Sequence, residues 1–403
     1  MSHSKKIVII GGGAAGFFAA INHKEKYPDH QVVILEQSTK FLSKVKISGG
    51  GRCNVSHACF KPTELAKNYP RGQKELLNPF KKFQAQDTIS WFENRGIELK
   101  IEADKRIFPV SDDSQTIIDC FFNEIEKLKI EVLAQTSLEF LSRREDQWLI
   151  QTNKQDFIAD AILFATGSSP RTWKILELLG HTIIKPVPSL FTFNISDQRI
   201  KDLAGISVKN GIASLMGTKI SQNGAILITH WGLTAPAILK LSAWAARELA
   251  EKNYEFELRI NWTPEFNAEQ MKSQLLDYQK NSPKKIISSH PLFELPSRLW
   301  NNLLKAAEIP ETMRWTDASH KAIFRFAEQL TLCNFQVQGK SNFKEEFVTC
   351  GGIKLSEVDM ETMQSKLLPN IFFAGEVLDI DAVTGGFNFQ AAWTTSWIAA
   401  QNM

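Results

Sequence analysis

Several things are scarce in this 403-residue chain, and each scarcity removes a class of protein. Charge of one sign is missing: 47 lysines and arginines stand against 44 aspartates and glutamates, a net of +3. So mild a surplus makes no electrostatic case for nucleic acid or a membrane surface. The five cysteines (Cys53, Cys59, Cys120, Cys333 and Cys350) are odd in number, scattered and without a C-x-x-C pair. A disulfide framework or a zinc site is therefore not expected, and a reducing cytosol fits. No apolar run approaches the ~20 residues that span a bilayer. The first strand-like run begins within six residues of Met1, which leaves no room for a signal peptide. The expectation is a cytoplasmic globular protein without a membrane or metal component; 43% hydrophobic and 23% charged residues agree with that.

Glycine is present where it carries information. Lys6-Ile-Val-Ile-Ile-Gly-Gly-Gly-Ala-Ala-Gly16 places a short apolar strand directly before glycines at G-x-G-x-x-G spacing, Gly11, Gly13 and Gly16. A helical stretch (Phe17 to Asn22) and a second apolar strand (Val32 to Leu35) follow, ending on Glu36-Gln37. Each glycine has its own physical task. Gly11 allows the tight strand-to-helix turn, Gly13 lets a pyrophosphate approach the backbone, and Gly16 lets helix and strand pack closely. Phosphates would sit on the helix N-terminus beside Ala14 and Ala15, and Glu36 would accept hydrogen bonds from ribose hydroxyls.

Two later segments offer further ligands. Lys44-Val-Lys-Ile-Ser-Gly-Gly-Gly-Arg-Cys-Asn54 exposes consecutive backbone N–H groups at Gly49, Gly50 and Gly51, an anion cradle to which Arg52 adds charge-assisted hydrogen bonds. The competing reading is a flexible surface loop. Ala374-Gly-Glu-Val-Leu-Asp-Ile-Asp-Ala-Val-Thr-Gly-Gly-Phe-Asn-Phe-Gln-Ala391 runs from a strand through an acidic loop and paired glycines into a helix. Its amides suit an anionic or electron-rich ring edge, and Asp379 suits a ribityl hydroxyl. A structural turn is the alternative there.

Between these segments the pattern alternates strands and helices. Helices are expected at Asp87 to Arg95 and at Ser114 to Leu128, with Ser114 as N-cap. Strands are expected at Ile130 to Leu133, Leu138 to Leu141, Trp148 to Thr152 and Phe157 to Ala165, the last running into Ala165-Thr166-Gly167. Lys185-Pro-Val-Pro188 reads as a crossing between domains. Phe191 to about Ile228 then reads as β-rich, and Pro236 to Lys252 and Ala268 to Ile309 as helical. Phe324 to Val337 and Glu346 to Thr349 read as strands, and Asn370 to Ala374 as a buried strand before a final Ala/Trp-rich helix. The expected organisation is a dinucleotide domain (1–190 and 346–403) interrupted by a β-rich insertion (191–240 and 320–345) that itself holds a helical subdomain (241–319).

At this point the chain resembles a known group, the flavoprotein family of NAD(P)/FAD-dependent, aminoacetone-oxidase-like oxidoreductases. The resemblance rests on Gly11 to Gly16, on Lys44 with Ser48-Gly-Gly-Gly-Arg-Cys-Asn54, and on Ala165-Thr-Gly167. Gly375-Glu-Val-Leu-Asp379, Gly385-Gly-Phe-Asn388 and Ile228-Thr-His-Trp-Gly-Leu-Thr-Ala-Pro236 complete it. It implies an α/β fold: a Rossmann-like, glutathione-reductase-type FAD domain split in sequence, with an inserted β-barrel-like domain and a helical subdomain. It also implies roles. Glu36 binds the adenosine ribose. Lys44, Ser48 to Gly51, Arg52 and Asn54, with Cys53 between them, line the FAD. Ala165, Thr166 and Gly167 mark the strand end near it, and Gly375, Glu376, Asp379, Gly385, Gly386, Phe387 and Asn388 meet its ribityl–isoalloxazine part. Departures are Ala225 for a usual Glu, Thr234-Ala235 for Ser-Gly, Ala382 and Ser396 for glycines, and Phe387 for Tyr.

The implied activity is hydride transfer between FAD and an organic substrate, most simply a small molecule. NAD(P)H could serve as a transient donor docking over the flavin, since no second dinucleotide fingerprint is present. The family also implies amine oxidation, reduction of conjugated double bonds in steroid-like acids, or uracil reduction in ribosomal RNA. A non-enzymatic flavin-binding regulator is a separate class. His230 is the best protic candidate for a general acid or base. Cys53, with no partner thiol, reads as packed and inert. Lys46, Lys81, Lys82, Lys105 and Arg106 read as a solvated basic face rather than an RNA grip.

Overall fold

A computed structural model describes residues 4–340 and 348–403. The expected strand at Glu346 and Phe347, and the domain boundary beside it, lie outside the described residues. The chain divides into two compact units: Met1–Pro186 with Thr349–Met403, and Val187–Val348.

The first unit is built on a seven-stranded sheet. Its order is Val358–Asp359, Gln364–Ser365, Ile371–Phe373, Ala161–Phe164, Lys6–Ile10, Gln31–Leu35, Glu131–Leu133. The last five run parallel, with Val8 level with both Val33 and Ile162, and Leu163 level with Phe372. Strands covered on both faces read as continuous apolar runs, and Ile7, Val8 and Ile9 are accordingly fully buried. The helix Ala14–Lys26 is apolar nearly all round, with Phe17 to Ile21 buried. It packs on the equally buried final helix Phe387–Asn402. That helix also anchors a buried polar chain: Gln390 Oε1 accepts from Ser56 Oγ (2.6 Å) and Thr88 Oγ1 (3.0 Å), and Gln390 Nε2 donates to Thr394 Oγ1 (3.2 Å).

The chain passes from Lys6–Ile10 to Gln31–Leu35 on one side and later returns to pair Ala161–Phe164 on the other, which makes the C-terminal end of Lys6–Ile10 a topological switch point. Ligands of open α/β sheets bind there. A small antiparallel sheet (Ser56–His57, Arg106–Pro109, Leu99–Ile101) and a meander (Leu138–Arg144, Gln147–Thr152, Phe157–Ala159) complete the unit.

The second unit holds a six-stranded antiparallel sheet: Phe193–Asn194, Gly232–Thr234, Ser221–Ile228, Ser207–Leu215, Glu255–Asn261, Cys333–Gln338. Phe193 bridges Lys340, and the Asn194 N–H donates to Gly339 O (3.0 Å), so the first strand returns to the end of the last. This is the barrel-like closure the resemblance implied. Helices Pro236–Trp244, Ala246–Glu251, Ala268–Asn281, Ser297–Ala306 and His320–Thr331 belong to the same unit. Helix residues Trp300, Trp315 and Phe326 share one core with sheet residues Ile226 and Leu258.

Three local expectations are corrected. Phe324 to Thr331 is helical, and only Cys333–Gln338 is a strand. The Ser319 hydroxyl caps that helix by accepting from the Ala322 N–H (3.2 Å), and Ile323, Phe326, Ala327 and Leu330 recur at helical spacing. The run from Ala268 to Ile309 is two helices, because Pro283, Pro291 and Pro296 break its middle. Asp113, not Ser114, caps the helix Ser114–Lys127; its carboxylate accepts from the Gln115 N–H (2.8 Å), while the Ser114 hydroxyl donates to Lys46 O (2.8 Å).

Candidate functional site

The fingerprint glycines separate by what a side chain would meet. A Cβ at Gly11, where φ is +116°, would lie 2.4 Å from Ala165 O, and one at Gly16 would lie 2.0 Å from Gly11 O. Protein packing alone demands glycine at both. A Cβ at Gly13 meets no protein atom within 4 Å, and φ there is an ordinary −94°. Glycine at 13 is thus not demanded by protein packing, and the open space there fits a group laid against the first turn of helix Ala14–Lys26. Glu36 closes the loop: Oε2 accepts from the Gly12 N–H and Oε1 from the Ser38 N–H, both at 2.8 Å. Each carboxylate oxygen keeps a further lone pair for a ribose hydroxyl. Gln37 beside it is exposed. Across the switch point, the Thr166 hydroxyl is buried with no protein partner, and Gly167 has φ +58° with nothing near its Cβ position. An orphaned buried hydroxyl and an open glycine fit a polar ligand there.

The serine–triple-glycine string lies at the end of helix Ser43–Gly51, which leaves helical geometry at Ser48, Gly49 and Gly50. Gly49, Gly50 and Gly51 all have positive φ, and Cβ positions at Gly50 and Gly51 are open. Gly49 is different, since its Cβ would press on the Phe108 ring at 2.8 Å.

Arg52 turns away from the anion role. Its Nη1 donates to Glu102 Oε1 (2.6 Å) and Asp112 Oδ1 (3.3 Å), and its guanidinium lies 3.9 Å from the centre of the Phe108 ring. Its hydrogen bond to Glu102 is the main reason its pKa is raised. Cys53 is fully buried, and burial pushes its thiol up to about 12, against a weak lowering by Ser48. It is a packed thiol.

The C-terminal segment meets this string in space. Lys44 pairs with Glu376, so two expected ligands bind each other. With its amide oxygen facing the Gly386 N–H (2.9 Å), Asn54 donates to Ser56 O (2.9 Å). A Cβ at Gly386, where φ is +91°, would lie 2.5 Å from that same Ser56 O. The Asn388 amide accepts from the Ala382 N–H (2.9 Å) and donates to Ala382 O (3.3 Å), closing the loop before the final helix. Gly375 has φ +71° and faces Ala15 of the first helix.

Residues absent from the sequence reading complete the picture. The His57 ring stacks on Phe387 (4.5 Å, 23°), the buried Tyr69 hydroxyl donates to Phe387 O (2.5 Å), and Arg71 pairs with the fully buried Asp381. Burial is the main cause that raises the Tyr69 pKa, so the phenol stays protonated as a donor. No spacing signal marks these residues; each is recognisable only from its partner far along the chain.

His230 and Trp231 lie in the second unit, in the turn between Ser221–Ile228 and Gly232–Thr234. Both are exposed, Trp231 by 60%. The Thr229 hydroxyl accepts from the Trp231 N–H (3.2 Å) and the Gly232 N–H (3.1 Å) and holds the turn. Among the described residues no cluster of three metal-type ligands occurs, and no helix is long and apolar enough to cross a membrane.

Residues 5–402 match the family described as HI0933-like protein Rossmann domain. The chain belongs to that family. It is 28% identical to a ribosomal RNA dihydrouridine synthase of Escherichia coli K12, over 98% of this chain and 97% of that one. It is 25% identical to a 3-dehydro-bile acid delta(4,6)-reductase of Clostridium scindens, over 98% of each chain. In fold it is similar to a 3-ketosteroid-delta4-(5alpha)-dehydrogenase of Rhodococcus jostii RHA1, with a TM-score of 0.50, 11% identity and coverage of 99% and 97%. Membership, fold and cradle together make this chain an FAD-dependent oxidoreductase.

Proposed function

We propose that the protein is a reductase acting on a ring carbon–carbon double bond conjugated to a carbonyl. The observation that carries this reading is end-to-end similarity to two relatives whose named reactions both saturate such a bond. Bound FAD supplies the hydride equivalent. Saturating such a bond would take a hydride at the carbon β to the carbonyl and a proton at the α carbon, two electrons and two protons in all for each bond reduced. In this reading the chain's residues do the holding. Gly13 admits the diphosphate to the helix N-terminus, Glu36 takes the adenosine ribose, and Thr166, Gly167, Gly50 and Gly51 border the middle of the cofactor. Gly375, Asp379 and the Gly385–Gly386 turn hold its ribityl–ring end. His230 is the proposed proton donor.

A small ring substrate is favoured over folded RNA by the charge layout. Lys46 pairs with Asp113, Lys82 with Glu361, and Arg106 with Asp104 and Glu102, so three of the five side chains of the basic face have acidic partners in place. Non-specific RNA binding draws on uncompensated cations.

The test is anaerobic. Holoprotein reduced with NADPH or by light is mixed with a conjugated steroid enone acid or a uracil-containing RNA hairpin, oxidised holoprotein is mixed with a simple amine, and the flavin absorbance band is followed. Return of the oxidised band with the enone acid, and a saturated product, supports the reading. Reoxidation by the RNA alone sinks the small-molecule substrate, and bleaching of the oxidised enzyme by amine sinks the reductase direction.

A further inference from the structure

The segment Asn68–Gly72 is tied to the loop before the final helix by four separate contacts. The Val383 N–H donates to Asn68 O (3.0 Å). The Tyr69 hydroxyl donates to Phe387 O (2.5 Å). Arg71 grips Asp381 with two N–H groups, Nε to Oδ1 at 2.5 Å and Nη2 to Oδ2, and the two backbones form a bridge. A Cβ at Gly72, where φ is +84°, would stand 2.8 Å from Ile380.

The ion pair is the informative contact. The Asp381 side chain is wholly buried and that of Arg71 is 10% exposed, and 310 residues separate them. Withdrawing both charges from water costs so much that an apolar pair of similar shape is often as stable. Stability alone is thus a weak reason for this pair. What a bidentate fork supplies is direction: it fixes the orientation of the carboxylate and of the backbone that carries it. That backbone is the loop between Gly375–Val377 and the final helix. Asp379 lies two residues before Asp381, and Gly385–Gly386 a few residues after.

We infer that Arg71 is a positioning residue: acting through Asp381, it holds the 379–386 loop in the shape that the ribityl–isoalloxazine end of FAD requires. The inference rests on the reading that this loop meets that end of the cofactor. Tyr69 does the same for the helix start at Phe387, so one segment sets both sides of the Gly385–Gly386 turn. Guanidinium and carboxylate need not touch FAD for this.

The experiment compares wild-type holoprotein with Arg71→Lys, Asp381→Asn, the double variant Arg71→Gln/Asp381→Asn, and Gly72→Ala. FAD release after dilution is followed by free-flavin fluorescence, together with the fine structure of the flavin absorbance band and the melting temperature. Arg71→Lys and Asp381→Asn are expected to release FAD at least about tenfold faster while still folded, because the bidentate fork that orients the loop is lost. The flavin band should shift in both. The double amide variant, which restores a neutral hydrogen bond, should recover part of the release rate. Gly72→Ala displaces Ile380 without touching charge and should also speed release, which keeps a test in hand if the charge variants do not fold. Lowered melting temperatures with wild-type release and wild-type spectra would reduce the pair to a structural contact and overturn the inference. Failure of the site reading has its own signature: Gly13→Val would then keep FAD as firmly as wild type does, and the inference would fall with it.

Discussion

Replacing Gly13 by valine separates cofactor binding from folding. The Cβ position at Gly13 is clear of protein for 4 Å, and its φ of −94° and ψ of −171° suit any residue. The structural cost is confined to the N-cap, where a branched apolar residue is about 1 kcal/mol worse than glycine. Cofactor binding loses far more. The new side chain stands where the diphosphate meets the helix amides, and at least two charge-assisted hydrogen bonds of about 1.5–3 kcal/mol each are lost. That is 3 kcal/mol or more, or upward of about a hundredfold in affinity.

The control is Gly11→Ala. Its Cβ would sit 2.4 Å from Ala165 O at φ +116°, a clash with backbone. It should cost several kcal/mol of stability, roughly 3 or more. The assay is the flavin-to-protein absorbance ratio of the purified variants, paired with urea melts of the FAD-free proteins so that ligand linkage does not enter. Gly13→Val should be colourless and folded, and Gly11→Ala largely insoluble. A yellow Gly13→Val would falsify the placement of the diphosphate. A Gly13→Val that melts as early as Gly11→Ala would show that the glycine serves the fold instead.

Three further outcomes are expected. Ala235→Gly should stabilise the protein. Ala235 sits at φ +81°, ψ 179°, a region nearly exclusive to glycine that strains other residues by about 1–3 kcal/mol, while glycine's extra unfolded freedom takes back about 0.4–1. A net gain of about 1 kcal/mol in urea is anticipated, and no gain would mean the strain is absent. Ser396→Ala should be neutral or stabilising by up to about 1 kcal/mol, because the Ser396 hydroxyl is fully buried without a partner; a clear loss would reveal a partner. Acid should destabilise the fold through His23, whose ring contacts Ala400 O (2.9 Å) and His30 (3.0 Å). Burial lowers its pKa from 6.5 to about 4, so the native ring stays neutral while the unfolded one gains a proton. Stability is complete above pH 6.5 and falls by about 1.4 kcal/mol per unit, about 3 kcal/mol in all by pH 4. In paired urea melts at pH 7 and 4.5, His23→Gln should lose distinctly less on acidification than wild type; an equal loss would clear His23.

Much of the first unit is legible in the sequence because its signals are local. Strand Lys6–Ile10 is an apolar run that ends on glycine, and the fingerprint carries its geometry in the spacing of Gly11, Gly13 and Gly16. The final strand and helix are readable for the same reason. Arg52 misleads because flanking glycines suggest an anion, whereas the carboxylates that claim it, Glu102 and Asp112, arrive from a hairpin about fifty residues away. Arg71, Tyr69 and His57 carry no periodicity and acquire meaning only against residues more than three hundred positions later. The helix His320–Thr331 is misread because Phe and Ile satisfy strand and helix templates alike until Ser319 is seen to cap it.

The division of the first unit has a consequence for how the protein is made. Strand Ile371–Phe373 borders Ala161–Phe164, and the final helix covers Ala14–Lys26. A nascent chain emerging from the ribosome therefore presents the Gly11–Gly16 turn long before Gly375, Asp379 and the Gly385–Gly386 turn exist. Contacts this distant in sequence close late. FAD would be acquired after synthesis rather than during it, and the inserted unit would have folded first. Supply of flavin would then govern how long freshly made, folded protein waits colourless.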